Sequence, residues 1–318
     1  MPKSNSNPKV RRMRRVLATL GLGLLVSACT STGPTPTAAN NANIRVVTSI
    51  YPLNFIATQV AGPDASVTSL VPPGADGHHS EISLRQLRHL AESDLLVYLS
   101  EFQPAVDQAL ATNPPGQTID VADLIELQPY TDHDHDDHDH DHGHDHGVDD
   151  PHFWLDPANL ATVTLEVGRQ LAVLDQENAA GYEARASKLA AELTDLRAQF
   201  ETGLAHCASS TLVVSHAAFG YLTEPLGLTQ IGIAGLDPDS EPSLARIRQI
   251  RDVVSQYDVT TIFYESPTNP YVAQKVADSL GLKPTFLDPL EIQNHPDQDY
   301  LETMNENLTS LRTALECQ

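Results

Sequence analysis

Residues 211–222 read TLVVSHAAFGYL: a short apolar run, a serine and a histidine, then a segment with helical spacing. Such a run, bounded by polar residues, reads as a strand feeding a helix. Three further runs follow it, TQIGIAG, TTIFYES and PTFLD, interleaved with helical patterns near 219–226, 243–257 and 270–280 and closed by one near 298–316. An earlier series repeats the scheme: IRVVTS, SVTSLV, DLLVYL and TIDVAD, with helical patterns near 52–62, 83–92 and 103–112. Alternation of this kind predicts parallel sheets with helices on both faces. Two series predict an α/β protein of two (β/α) lobes, each with a mainly parallel four-stranded sheet.

Between the series, Leu189, Leu193, Leu196 and Phe200 recur at three- and four-residue spacing among charged residues. Asp175 is a candidate N-cap, and the stretch from 175 to 206 has no proline. A helix of ~30 residues would reach ~45 Å, enough to join both lobes as one rigid linker. The expected organisation is therefore a first lobe over 44–174, the linker helix over 175–206 and a second lobe over 207–318.

The chain begins with a targeting pattern. Lys9, Arg11, Arg12, Arg14 and Arg15 precede an apolar run from Val16 to Val26, and Val-Ser-Ala-Cys ends at Cys29. The apolar run is too short to span a bilayer. It resembles the lipobox segment of bacterial lipoproteins, which implies cleavage after residue 28 and a membrane lipid anchor on Cys29. Residues 29–43 are small, polar and proline-containing, suited to a flexible tether. The whole chain carries a net charge of −23; residues 1–28 hold six basic and no acidic residues, so the remainder has 13 basic against 42 acidic residues, or −29. That charge excludes nucleic acid as a partner and favours cations. In an exported protein the two other cysteines, Cys207 and Cys317, are expected to bridge, the alternative being two free thiols.

Ligand sites in open α/β sheets lie at the carboxyl ends of strands, here in the crevice between the lobes. Three histidines fall at such places: His78 in VPPGADGHHSE after the second strand run, His152 in DPHFWLDP before a helix, and His216 after TLVVS. Asp288 in FLDPL ends the last strand run and could add a carboxylate. Three imidazoles with a carboxylate or water suit tetrahedral zinc. His89 on a helix face, His206 at the end of the linker and His295 in a loop read as structural. The reading leaves open whether His78 or the adjacent His79 points inward, and whether Asp288, Glu81 or water is the fourth donor. No H-E-x-x-H helix and no partnered general base is present, so the chain is not expected to be an enzyme.

Together GADGHHSE, DPHFWLDP, SHAAFGYL, EPS at 241–243 and FLDPL resemble the metal-binding lipoproteins of bacterial ABC transporters, most closely the zinc-uptake, ZnuA-type branch. The resemblance covers nearly the whole chain from Ile44 onward. It implies one Zn2+ between two lobes, delivery to an ABC transporter membrane permease, and ligands at His78, His152, His216 and, in some relatives, the position of Asp288. Histidine at 216 points to zinc, since the manganese branch typically has glutamate there; a manganese carrier or a metal-containing adhesin of the same fold is the alternative. Relatives often have proline before the first histidine, where this chain has Gly77. The chain is expected to act as a monomer.

Residues 131–149 hold seven histidines and eight aspartates with no apolar residue before Val148. Such a loop cannot bury enough surface to offset the entropy of ordering, and it is expected to stay mobile and bind several ions weakly.

Overall fold

The first sheet consists of Ile44–Thr48 (β1), Ala65–Ser69 (β2), Leu95–Tyr98 (β3) and Thr118–Asp120 (β4), all parallel, in the order β2-β1-β3-β4. The computed structural model describes residues 44–72, 74–75, 77–130, 149–240, 242–265 and 271–318, the side chains of 272 and 273 excepted. The targeting segment, the tether with Cys29 and most of the His/Asp loop lie outside the described residues. Helices Tyr51–Ala61 (α1), Leu84–Ala91 (α2) and Pro104–Thr112 (α3) connect the strands. Val46, Val47, Leu95, Leu96 and Val97 are buried, as strands covered on both faces require.

The expected strand TIDVAD stops at Asp120. Its carboxylate accepts the N–H of Ala122 at 3.1 Å and turns Val121–Asp123 into a 3-10 helix. That local bond competes with the sheet ladder and wins.

A helix over Pro157–Leu174 (α4) follows, opened by the Asp156 carboxylate on Ala158 N–H at 2.9 Å and by proline at its first position. The next helix, Ala179–Gly203 (α5), has 25 residues and buries Tyr182, Ala186, Leu189, Leu193, Leu196 and Phe200 on one face. Asp175, expected to cap it, instead ends α4, and its carboxylate accepts from Asn178 Nδ2 at 2.7 Å and the Tyr182 hydroxyl at 3.1 Å. The linker stretch is thus a tight turn plus a helix, because those two bonds favour a turn before α5. α4 and α5 approach so closely that a Cβ at Gly168 would lie 2.4 Å from that of Ala186. Arg197 on α5 pairs with Asp156 at 2.8 Å.

The second sheet comprises Thr211–Val214 (β5), Thr229–Gly232 (β6), Thr261–Tyr264 (β7) and Lys283–Phe286 (β8), all parallel, in the order β6-β5-β7-β8. The two lobes repeat one topology. Around this sheet lie Gly220–Thr223 (α6), Leu244–Gln256 (α7), Tyr271–Leu280 (α8) and Tyr300–Ala314 (α9). The helix expected over 219–226 is broken after Thr223, where Pro225 enters a 3-10 turn over Glu224–Leu226. α5 contacts α1 of the first lobe and α9 of the second. The largest apolar cluster runs through it, from Leu53 and Phe55 to Tyr300 and Leu311. Cys207 and Cys317 form a disulfide. Among the described residues no helix is long and apolar enough to cross a membrane.

Candidate metal centre

In each sheet the connections leave in opposite directions at the central strands, which opens a crevice at their carboxyl ends. In the second lobe His216 follows β5 by two residues and Glu265 directly follows β7, so both stand at that point. Glu265 accepts the backbone N–H of His216 at 3.0 Å, and its other oxygen contacts His216 Nδ1. The ring is thereby held with Nε2 facing the first lobe. His152 is fixed the same way: Asp150 Oδ1 accepts its backbone N–H at 2.9 Å and lies 2.7 Å from its Nδ1. A carboxylate on Nδ1 selects the tautomer whose Nε2 lone pair is available to a metal.

His78 comes from the loop after β2. Gln103 Nε2 donates to Gly77 O at 2.6 Å, and the Phe102 ring meets the imidazole edge-on at 4.8 Å. The flexibility of Gly77 is removed by that bond, and His78 points inward. His79 is exposed and lies against Asp237 and Asp239, each at 3.8 Å.

Four ligand atoms, from His78, His152, His216 and Glu291, lie within 4.8 Å of one another. Glu291 Oε1 is 3.4 Å from His78 Nε2, 3.2 Å from His152 Nε2 and 3.1 Å from His216 Nε2. A zinc ion with donors at ~2.0–2.1 Å has tetrahedral edges of about 3.3 Å, so these separations fit it. The His152–Glu291 approach has hydrogen-bond length without hydrogen-bond geometry. Lone pairs aimed at a common centre, and not at each other, give that combination.

Asp288 does not join the group. Its carboxylate accepts Leu290 N–H at 2.8 Å and Asn294 Nδ2 at 3.0 Å, while its backbone exchanges two hydrogen bonds with the Asn307 amide. Leu290 takes the left-handed conformation, φ 55°, and the turn sends Glu291 back into the crevice. Trp154 Nε1 holds the same turn through Pro289 O at 2.8 Å. Asp288 therefore shapes the loop that delivers Glu291. Sequence reading missed Glu291 because its place depends on a turn that strand-end counting cannot see; the only signal was a carboxylate three residues beyond the strand-end aspartate. Glu81 is exposed at the start of α2, and His89, His206 and His295 also lie outside the cluster.

Charge is concentrated here. Burial alone would lower the His216 pKa, but the carboxylates of Glu265 and Glu291 on its two nitrogens reverse this and push it up to about 10. His152 is likewise raised, burial being outweighed by Asp150 and Glu291. Burial would raise Glu291, yet the imidazoles of His152, His216 and His78 close around its carboxylate hold it well below the usual carboxylate range. A metal ion entering this ring has to displace protons. Calorimetry near neutral pH, in buffers of different ionisation enthalpy, is expected to show release of about one proton or more per ion bound. Affinity is expected to rise with pH from neutral toward about 10, because the His216 proton leaves only as pH approaches that value. Binding that ignores both buffer and pH would contradict this account.

Comparison with known proteins finds zinc-binding and metal-transporting relatives. High-affinity zinc uptake system protein ZnuA of Bacillus subtilis (strain 168) is 30% identical over 301 residues, covering 92% of this chain and 94% of that protein. The structure of laminin-binding protein (Lmb) of Streptococcus agalactiae, described as bifunctional with adhesin and metal transporting activity, superposes with a TM-score of 0.75 at 29% identity, covering 86% of this chain and 99% of that one. The Zn(II)-bound ZnuA-like domain of Streptococcus pneumoniae AdcA gives 0.71 at 27% identity, again over 86% and 99%. The family model described as zinc-uptake complex component A, periplasmic, matches residues 46–314, and with a largely buried three-histidine, one-glutamate cluster at its crevice the chain belongs to that family.

Proposed function

We propose that the protein is the extracytoplasmic zinc receptor of an ABC importer, binding one Zn2+ through Nε2 of His78, His152 and His216 and a carboxylate oxygen of Glu291, and passing it to a membrane permease. The observation that carries this reading is the convergence of four buried or nearly buried donors at tetrahedral spacing. Three imidazoles and a carboxylate favour zinc over manganese, which prefers oxygen donors. Four protein donors leave no open position of the kind a catalytic zinc keeps for water. The family is one of solute-binding components of zinc uptake, not of enzymes.

A receptor has to survive without its cargo. His152 and His216 are each anchored to their own lobe by hydrogen bonds that need no metal. Chelation is therefore expected to leave a cooperatively folded apo-protein that rebinds one zinc, as read by calorimetry and metal analysis. Unfolding on zinc removal would indicate a purely structural site and overturn the transport reading.

Export and tethering belong to the same proposal: removal of residues 1–28, a lipid on Cys29, a tether over 29–43, and lobes joined by the linker region. The supporting features are the basic, apolar and Val-Ser-Ala-Cys segments in series. In this reading the His/Asp run over 131–149 collects or senses zinc, holding several ions weakly. Deleting residues 131–147 is expected to remove the weak equivalents from a zinc titration and leave one tight ion. Loss of that ion, or an unchanged stoichiometry, would defeat this division of labour.

A further inference from the structure

The two lobes share more than topology. Residues 81–90, EISLRQLRHL, and 241–250, EPSLARIRQI, carry Glu, Ser, Leu and Arg at the same four places, with aliphatic residues paired at 87/247 and 90/250. Each segment opens the helix between the second and third strands of its lobe, α2 in one and α7 in the other. The caps match: Ser83 has φ −72°, ψ 160°, Ser243 has φ −67°, ψ 160°, and each accepts the backbone N–H three residues on.

Beyond the cap the two helices do the same unusual thing. Leu90 and Ile250 are fully buried, whereas Leu84 and Leu244 are 77% and 78% exposed, the two highest values among the large apolar side chains described. The first helical position favours proline or an acidic residue, so leucine gains little there for the helix itself. One exposed leucine is ordinary. The same leucine at the same register, in both halves of a duplicated fold, asks for a common cause outside the fold.

Charge singles out the same helices. In a chain of net charge −23, α2 carries Arg85 and Arg88 without an acidic residue, and α7 carries Arg246, Arg248 and Arg251 against Asp252 alone. Among the described residues none forms an ion pair with Arg85, Arg88, Arg248 or Arg251. The two helix starts also flank one opening. His79, four residues before Ser83, touches Asp237 and Asp239, which lie just before Ser243, so the loops leading into both caps meet over the metal crevice.

We infer that Leu84 and Leu244, with the arginines beside them, are the paired contacts by which the protein docks on a partner made of two equivalent halves, each offering an apolar socket rimmed by carboxylates. This rests on the zinc-delivery reading, and the occupant it commits to is the pair of membrane subunits of the permease, seated so that the crevice mouth faces the entry between them. Two like sockets require two like plugs, and the repeat supplies them.

The test compares zinc uptake in cells lacking their own copy of the gene and supplied with the full-length wild type, Leu84→Ser, Leu244→Ser, the double variant, or Leu165→Ser as an exposed control on α4. Both target side chains are exposed, so the variants are expected to fold and to bind zinc with unchanged affinity, which calorimetry on the purified proteins checks. Losing one buried leucine contact is expected to lower transport at limiting protein about tenfold, and losing both about a hundredfold. Charge reversal at Arg88 and Arg248 is expected to lower it further in the same direction. Undiminished uptake by the double variant would overturn the docking assignment while leaving the zinc receptor intact. If the wild type itself restores no uptake although it binds zinc, the transport reading falls, and this surface with it.

Discussion

Glu291→Ala is expected to weaken zinc binding by more than ~100-fold, whereas Asp288→Asn costs much less. Changing a residue that only supports a metal ligand typically costs 10–100-fold, so loss of a ligand itself should exceed that range. Among the described residues, Glu291 is the one carboxylate placed against all three Nε2 atoms, at 3.1–3.4 Å. Without it, three neutral imidazoles would be the only donors, and the remaining carboxylates, Asp150 and Glu265, would act only from behind the rings. Asp288 acts only through the turn, and asparagine keeps an acceptor for Leu290 N–H. His216→Ala should match Glu291→Ala in size, and His89→Ala and His295→Ala should leave affinity unchanged. Competition titration against a chelator of known affinity measures all five. A tight site surviving Glu291→Ala, together with one abolished by Asp288→Asn, would transfer the fourth-ligand role to Asp288.

Replacing both Cys207 and Cys317 by serine is expected to lower the unfolding free energy by ~2–5 kcal/mol, read from chemical denaturation of the zinc-free protein. The bridge spans a sequence separation of 110 and encloses the whole second sheet, from the end of α5 to the end of α9. Its effect should fall on the unfolded chain. The native approach is already held by backbone bonds from Ala208 and Ser209 to Leu315 O, at 3.0 and 3.2 Å, and from Gln318 to His206 O at 3.0 Å. Zinc affinity should not change, because the bridge lies beside the amino end of β5, where Ala208 and Ser209 meet Leu315, while the site lies beyond its carboxyl end. Two free thiols in unreduced, denatured protein, or equal stability of the serine variant, would refute the role assigned to the bridge.

Local chemistry and periodicity determined most of the architecture. The central strands β1, β3, β5 and β7 are short, largely apolar runs whose side chains need cover on both faces, and the connecting helices have apolar faces that supply it; a parallel α/β order follows from that requirement. The three imidazoles were legible for the same reason, since His78, His152 and His216 stand where strand ends and helix starts must open into a crevice. What local pattern left open was decided by contacts distant in sequence. Gln103 on Gly77 turns His78 inward and leaves His79 at the rim, and no property of either histidine distinguishes them beforehand. Asp175 resembles a helix cap, yet Asn178 and Tyr182 recruit it to a turn. The exchange of Asp288 for Glu291 has the same origin: Asn307 from α9 and Trp154 from the first lobe hold the turn after β8, and only with both in place does the later carboxylate reach the metal-binding ring. Sequence specifies which side chains can bind zinc because that is a property of each residue. Tertiary structure selects which of them do, because a tetrahedral site is set by distances between elements, and those are fixed only when both lobes pack on one helix.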